Sequence, residues 1–125
     1  MNLLPDATAA LTGYVVATNT HDFDAVAPLL AADCVYYFGN ATRRGAAEVR
    51  DYFEDTWRQI LDEVYDVHDV VWVQLTSDAA TAVFRYTWRG VWDGKPAAGE
   101  GRGTNVFERR DGRWLLVHEH LSSMP

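Results

Sequence analysis

The dipeptide Asp111-Gly112 lies between two runs of alternating character, "RGTNVFERR" and "RWLLVHEHLSS". Asp-Gly offers two consecutive residues that tolerate positive φ, which is what a two-residue hairpin turn demands. A strand is therefore expected on each side, with successive side chains on opposite faces. Upstream, "YDVHDVVWVQL" alternates and is rich in Val, "SDAA" reads as a turn, and "TAVFRYTWRGVW" reads as another long strand. "DGKPAAGEG" is expected to be a loop, with Asp93-Gly94 as its turn signal. The second half of the chain is thus an antiparallel meander.

The first half has a different period. Leu4, Ala7, Leu11, Tyr14, Val15 and Thr18 recur every three to four positions, as on an amphipathic helix. "NTHDFD" breaks it, and Asp22 is placed as the N-cap of a second short helix over "DFDAVAPLLA". Pro28 fits there only in the first turns or in a 3₁₀ segment. "CVYYFG" is a short strand stopped by Gly39, and "TRRG" is a turn. "AAEVRDYFEDTWRQILDEV" predicts the third helix, with Val49, Tyr52, Phe53, Thr56, Ile60 and Val64 in a stripe and Trp57 on the same side. The class is α+β, a curved antiparallel sheet wrapped by three N-terminal helices into a cone.

Composition narrows the function. The 125 residues make one domain, 1–125, with one core. No repeat, linker or low-complexity tract divides them. A net charge of −7 argues against nucleic acid and anionic membrane as partners, since both require a basic face. No apolar run reaches the roughly 18 residues of a membrane span, and "MNLLPDATAAL" lacks the basic and apolar segments of a signal peptide. Cys34, the lone cysteine, reads as a buried structural thiol, and the location expected is the cytoplasm. Five Trp, six Tyr and five Phe fit either a well-filled core or an aromatic-lined hydrophobic pocket.

Three segments, taken in order, resemble the SnoaL-like family of the nuclear transport factor 2-like superfamily, and the resemblance covers nearly the whole chain. They are "GYVVATNTHDFDAVAPLLAADCVYYFG", "RRGAAEVRDYFEDTW" and "GTNVFERRDGRWLLVHEHLSS". The resemblance implies the cystatin-like α+β barrel of that superfamily. It implies no single function, because the superfamily holds isomerases, cyclases, dehydratases, hydrolases, transport factors and association domains. Within it, ketosteroid isomerase carries on its first helix a Tyr that donates a hydrogen bond to a developing enolate, and the match places Tyr14 there. That enzyme's carboxylate base falls here on Phe38, which cannot take a proton. The same isomerase reaction is thereby disfavoured. The last hairpin is also very similar to that of the association domain of calcium/calmodulin-dependent protein kinase II, which assembles into rings. Of the arginines lining that domain's cavity, one falls on Arg85 and the others on Asn105 and Leu121.

His118-Glu119-His120 raises the question of a metal. On a strand His118 and His120 share one face with Trp114, Leu116 and Ser122, while Glu119 shares the other with Val117 and Leu121. Two such His supply two ligands; a third would have to come from a residue such as His68, and no recognised metal motif is present. No metal and no cofactor is expected. The resemblance implies that Arg85, Asn105 and Leu121 face the cavity, which turns Glu119 inward. Two roles stay open for it: an acid/base tuned by Arg85, or half of a buried pair that only holds the sheet. With Tyr14 as electrophilic donor, the candidate catalytic set is Glu119, Tyr14 and Arg85. The candidate ligand-binding set is Tyr37, Phe38, Trp57, Trp72, Asn105, Phe107 and Leu121. Alternation allows only one of Tyr36 and Tyr37 inside, and Trp88 is a further cavity candidate. The expected partners are a small hydrophobic molecule and a second copy of the chain, making a homodimer through the outer sheet face. The function implied is an isomerase, cyclase or lyase working without cofactor, or else a non-catalytic binding or association module.

Overall fold

The structure, a computed structural model, describes residues 2–125. α1 (Leu3–Thr18) buries Ala7, Leu11, Tyr14, Val15 and Thr18 along one side, as their spacing requires, while Leu4 stays exposed at its first turn. The Asp22 carboxylate accepts the Asp24 N–H at 3.0 Å and caps α2 (Phe23–Val26). Pro28 then falls in a 3₁₀ turn, Ala27–Leu29. α3 (Gly45–Gln59) buries Val49 and Phe53 against the sheet.

Six strands form that sheet: β1 (Leu30–Phe38), β2 (Ala41–Arg44), β3 (Ile60–Leu75), β4 (Ala79–Trp92), β5 (Lys95–Arg110) and β6 (Arg113–Ser123). Their order is β2-β1-β6-β5-β4-β3. All pairings are antiparallel except β1 with β6, which is parallel. Strands β2 and β3 remain as edges, so the sheet curves without closing into a barrel. Both Asp-Gly turns adopt the expected form, with φ of 53° and 73° at Asp93 and Gly94 and of 51° and 77° at Asp111 and Gly112.

Three elements differ from the sequence expectation. "TRRG" enters β2 instead of forming only a turn, because Ala41–Arg44 pairs with Val35–Phe38. The expected loop after Gly94 is strand: β4 and β5 pair without interruption from Trp92–Lys95 to Ala79–Glu108. Finally, α3 ends at Gln59, although the apolar spacing runs on through Ile60 and Val64. Ile60 turns extended (φ −110°, ψ 100°) and pairs with Trp92, so long-range pairing overrides local period.

The β3–β4 ladder shifts between Leu61 and Val64, where Asp62 takes a φ of 54°. This bulge rests on Gly90. A Cβ there would stand 2.6 Å from Ile60 Cγ2, 2.8 Å from the Leu61 carbonyl oxygen and 3.2 Å from Glu63 Cα. Gly90→Ala is therefore expected to destabilise the protein by about 1–3 kcal/mol through overpacking. Gly13→Ala, on an open face of α1 with nothing within 4 Å, is expected to stabilise it by about 0.5–1 kcal/mol. Urea denaturation of the two variants checks both signs.

Candidate active site

Tyr36, Glu119, Asn105, Ala82 and Trp72 are successive cross-strand partners, forming one row over the inner face of the sheet. Glu119 reaches that face through an irregularity in β6. Val106 pairs with His118 and Phe107 with Leu116, which leaves Val117 without a partner. The extra residue changes the phase of alternation, so Leu116 and Glu119 both point inward and are buried. Strict alternation had put Leu116 with the histidines; the bulge moves it to the core.

Glu119 is 2% exposed and is met from three elements. The Tyr14 hydroxyl of α1 stands beside its carboxyl and favours the charged form. Tyr14 in turn lies 2.8 Å, oxygen to oxygen, from the buried Tyr36 hydroxyl. With its amide nitrogen turned toward Glu119, Asn105 donates to Oε1 at 3.0 Å and to the Thr104 carbonyl at 3.1 Å. With Glu119 ionised, Tyr36 can donate to Tyr14 while the Tyr14 proton faces the carboxylate. Burial pushes the Glu119 carboxyl up to about 8, against the pull of Tyr14 and Asn105. At neutral pH most molecules therefore hold a carboxylic acid there. Burial and the Glu119 charge also push the Tyr14 and Tyr36 hydroxyls well above their ordinary range, so both keep their protons.

A cavity of about 350 Å³ opens from this network. Tyr65 of β3, Tyr86 and Trp88 of β4, Phe38 of β1 and Phe53 and Trp57 of α3 form much of its wall. Its width depends on β5, where Gly99, Gly101 and Gly103 stand opposite Trp88, Tyr86 and Phe84. Each ring lies where a Cβ on the facing glycine would sit. A second carboxyl, Glu63, also lines the cavity, and burial raises it to about 7.

The candidate residues divide accordingly. Tyr14, Phe38, Trp57, Leu121 and Glu119 line the cavity, as does Trp88. Asn105 lies behind Glu119 and supports it. Arg85 does not meet Glu119: it stands on the outer face, in ion pairs with Asp69 and Glu100 at 3.3 Å each. Pairing of Ala82 with Asn105 and of Phe84 with Gly103 turns the even-numbered residues of β4 inward. The match that grouped Arg85 with Asn105 was one residue out of register. Tyr37 is likewise outside, edge-on to His118 and His120, because its neighbour Tyr36 pairs with Glu119. Trp72 and Phe107 pack together, ring centroids 6.3 Å apart, in the core beyond the cavity. Tyr65 and Glu63 are not among the sequence candidates, and Tyr36 is the member of the Tyr36/Tyr37 pair that faces inward. A β-bulge hid Glu63, while Tyr36 needed only the correct choice of face.

His118 and His120 lie on the outer side, His118 bonded through Nδ1 to the Val35 carbonyl at 2.7 Å. His68 is bonded to Thr87 Oγ1 at 2.8 Å. Among the described residues no three His, Cys, Asp or Glu converge as metal ligands would.

Residues 11–117 match the SnoaL-like domain. The chain belongs to the SnoaL-like family. Its fold is shared by a nuclear transport factor 2-like superfamily protein from Salmonella enterica serovar Typhimurium, with a TM-score of 0.89 at 16% identity, over 97% of this chain and 90% of that one. LinA superposes with a TM-score of 0.85 at 14% identity, over 97% and 85%. A Xanthomonas campestris protein, assigned as a calcium/calmodulin-dependent protein kinase II association domain, matches at 27% identity with a TM-score of 0.85, over 100% and 94%.

In this SnoaL-like protein the folded state favours protonated Glu119, since burial raises the carboxyl from 4.5 to about 8. The resulting stabilisation is complete below about 4.5 and is lost as pH rises through 8. Glu63, raised to about 7, acts in the same direction. Melting temperature is therefore expected to fall from pH 5 to pH 9, and Glu119→Gln to remove most of that slope. Equal slopes in thermal scans of the two proteins would contradict the assignment.

Proposed function

We propose that this SnoaL-like protein is a cofactor-free enzyme acting by acid/base chemistry on a small hydrophobic ligand held in the cavity. Glu119 carries the proposal: a buried carboxyl, neutral at physiological pH, at the wall of an aromatic cavity, beside Tyr14 and hydrogen-bonded by Asn105. A ligand oxygen seated against Glu119 would receive its proton as negative charge develops or as a hydroxyl departs as water. Tyr14 and Asn105 then stabilise the carboxylate left behind, and Tyr36 supports Tyr14. Isomerisation, cyclisation and dehydration all contain such a step. Arg85, committed to its ion pairs outside, has no part in it.

A second reading, an oligomeric association module, is favoured by the outer face. Tyr37, His120, Thr104, Val83 and Val71 form a cross-strand row there, with Tyr37 41% and Val71 56% exposed. The Xanthomonas relative assigned as an association domain supports it as well.

Native mass spectrometry of the untreated protein is expected to show a homodimer retaining a small organic molecule. On that molecule Glu119→Gln is expected to lower turnover by about 100-fold or more, Tyr14→Phe by about tenfold, and Arg85→Gln by less than about twofold. A ligand-free ring of many subunits would favour the association module instead. Full activity in Glu119→Gln would remove the acid/base proposal.

A further inference from the structure

Glu63 stands apart from the network around Glu119. The bulge at Leu61–Val64 re-aims it toward the cavity, and Gly90 leaves room for the bulge. Its backbone is held firmly: His21 Nε2 bonds the Glu63 carbonyl oxygen at 2.7 Å, and the His21 ring stacks on Trp57 with centroids 5.3 Å apart. The Glu63 carboxylate itself has no hydrogen-bond or ion-pair partner among the described residues, although it is half-buried. Two further groups are unspent. The Tyr65 hydroxyl and Thr18 Oγ1 are buried beside the same cavity with no partner, and Thr18 is only 8% exposed.

Among the described residues the lining holds two carboxyls and nine aromatic side chains, but no Lys, Arg or His. Arg43 lies over the Tyr52 ring, 5.5 Å from its centroid, and stays outside the lining. An anion entering this space would meet no counter-charge. A neutral hydrocarbon would strip water from Glu63 and return nothing. An organic cation would satisfy Glu63 and at the same time lie against aromatic faces, whose quadrupoles attract positive charge.

We propose that the cavity binds a hydrophobic amine, its ammonium group at Glu63 and an oxygen of the same molecule on the free hydroxyls of Tyr65 and Thr18, within reach of Glu119. This names a ligand class for the site proposed above. It requires that the cavity be the binding site, but not that Glu119 be catalytic.

The test is calorimetric titration at pH 8 with three naphthalene probes of similar shape: trimethyl(2-naphthylmethyl)ammonium, 2-naphthalenemethanol and 2-naphthoate. The ammonium probe is expected to bind at least about tenfold more tightly than the alcohol, with naphthoate weakest. Glu63→Gln is expected to bring the cation within about twofold of the alcohol, while the alcohol still binds at least as tightly as to the wild type, which also shows that the variant is folded. Glu63→Asp, which keeps the charge, is expected to retain part of the preference. The proposal is overturned if the alcohol or naphthoate binds the wild type as tightly as the cation, if the preference survives Glu63→Gln, or if the cation gives no binding into the millimolar range. Cation-selective binding to a protein that converts nothing would leave this inference standing and remove the acid/base reading. Catalysis on a neutral ligand alone would do the reverse.

Discussion

A carboxyl group removed from water must either be given hydrogen bonds or surrender its charge, and Glu119 does both. Tyr14 comes from the first helix, Tyr36 from the strand parallel to β6, and Asn105 from the antiparallel strand on its other side. Satisfying one acidic group thus fixes the helix on the sheet and joins the parallel β1–β6 pair to the meander. Misplacement of any of these elements would leave a polar atom buried and unpaired, at a cost of about 1–3 kcal/mol. The network that defines the site is also a means by which the fold selects its own register.

The space beside that network is made by what β5 lacks. Three glycines at alternate positions allow the rings of Trp88, Tyr86 and Phe84 to lie over the neighbouring backbone. The aromatic groups then line the sheet and leave the middle of the cone open. Farther along the same inner face Ala80, Ala82, Phe107 and Leu116 fill the interior, so one sheet supports a packed core and a cavity at different heights.

Much of this was legible locally. The Asp-Gly turns, the Asp22 cap, the helical stripe of α1 and the class of the fold depend on neighbours in sequence. Positions that depend on partners across the sheet were less so. Arg85 and Tyr37 were each assigned to the wrong face because a one-residue difference in register reverses a strand. Glu63 was hidden in a helical pattern that Ile60 and Val64 appeared to continue in sequence; pairing with β4 ended the helix five residues early. Trp72 and Phe107 are on the inner face, but distance from the cavity along the sheet does not show in periodicity.

Val117 has a consequence for the history of such a sheet. As the one unpaired residue in its stretch, it gives β6 two reading frames. In the frame observed, the interior reads Glu119, Leu121, Ser123. Sliding the segment beyond Val117 by one position would make it read His118, His120, Ser122, exchanging an acidic interior for an imidazole one without altering a single side chain. Tyr36 and Asn105, which flank Glu119 from either side, hold the first frame. Relatives that lack this pair would be free to explore the second.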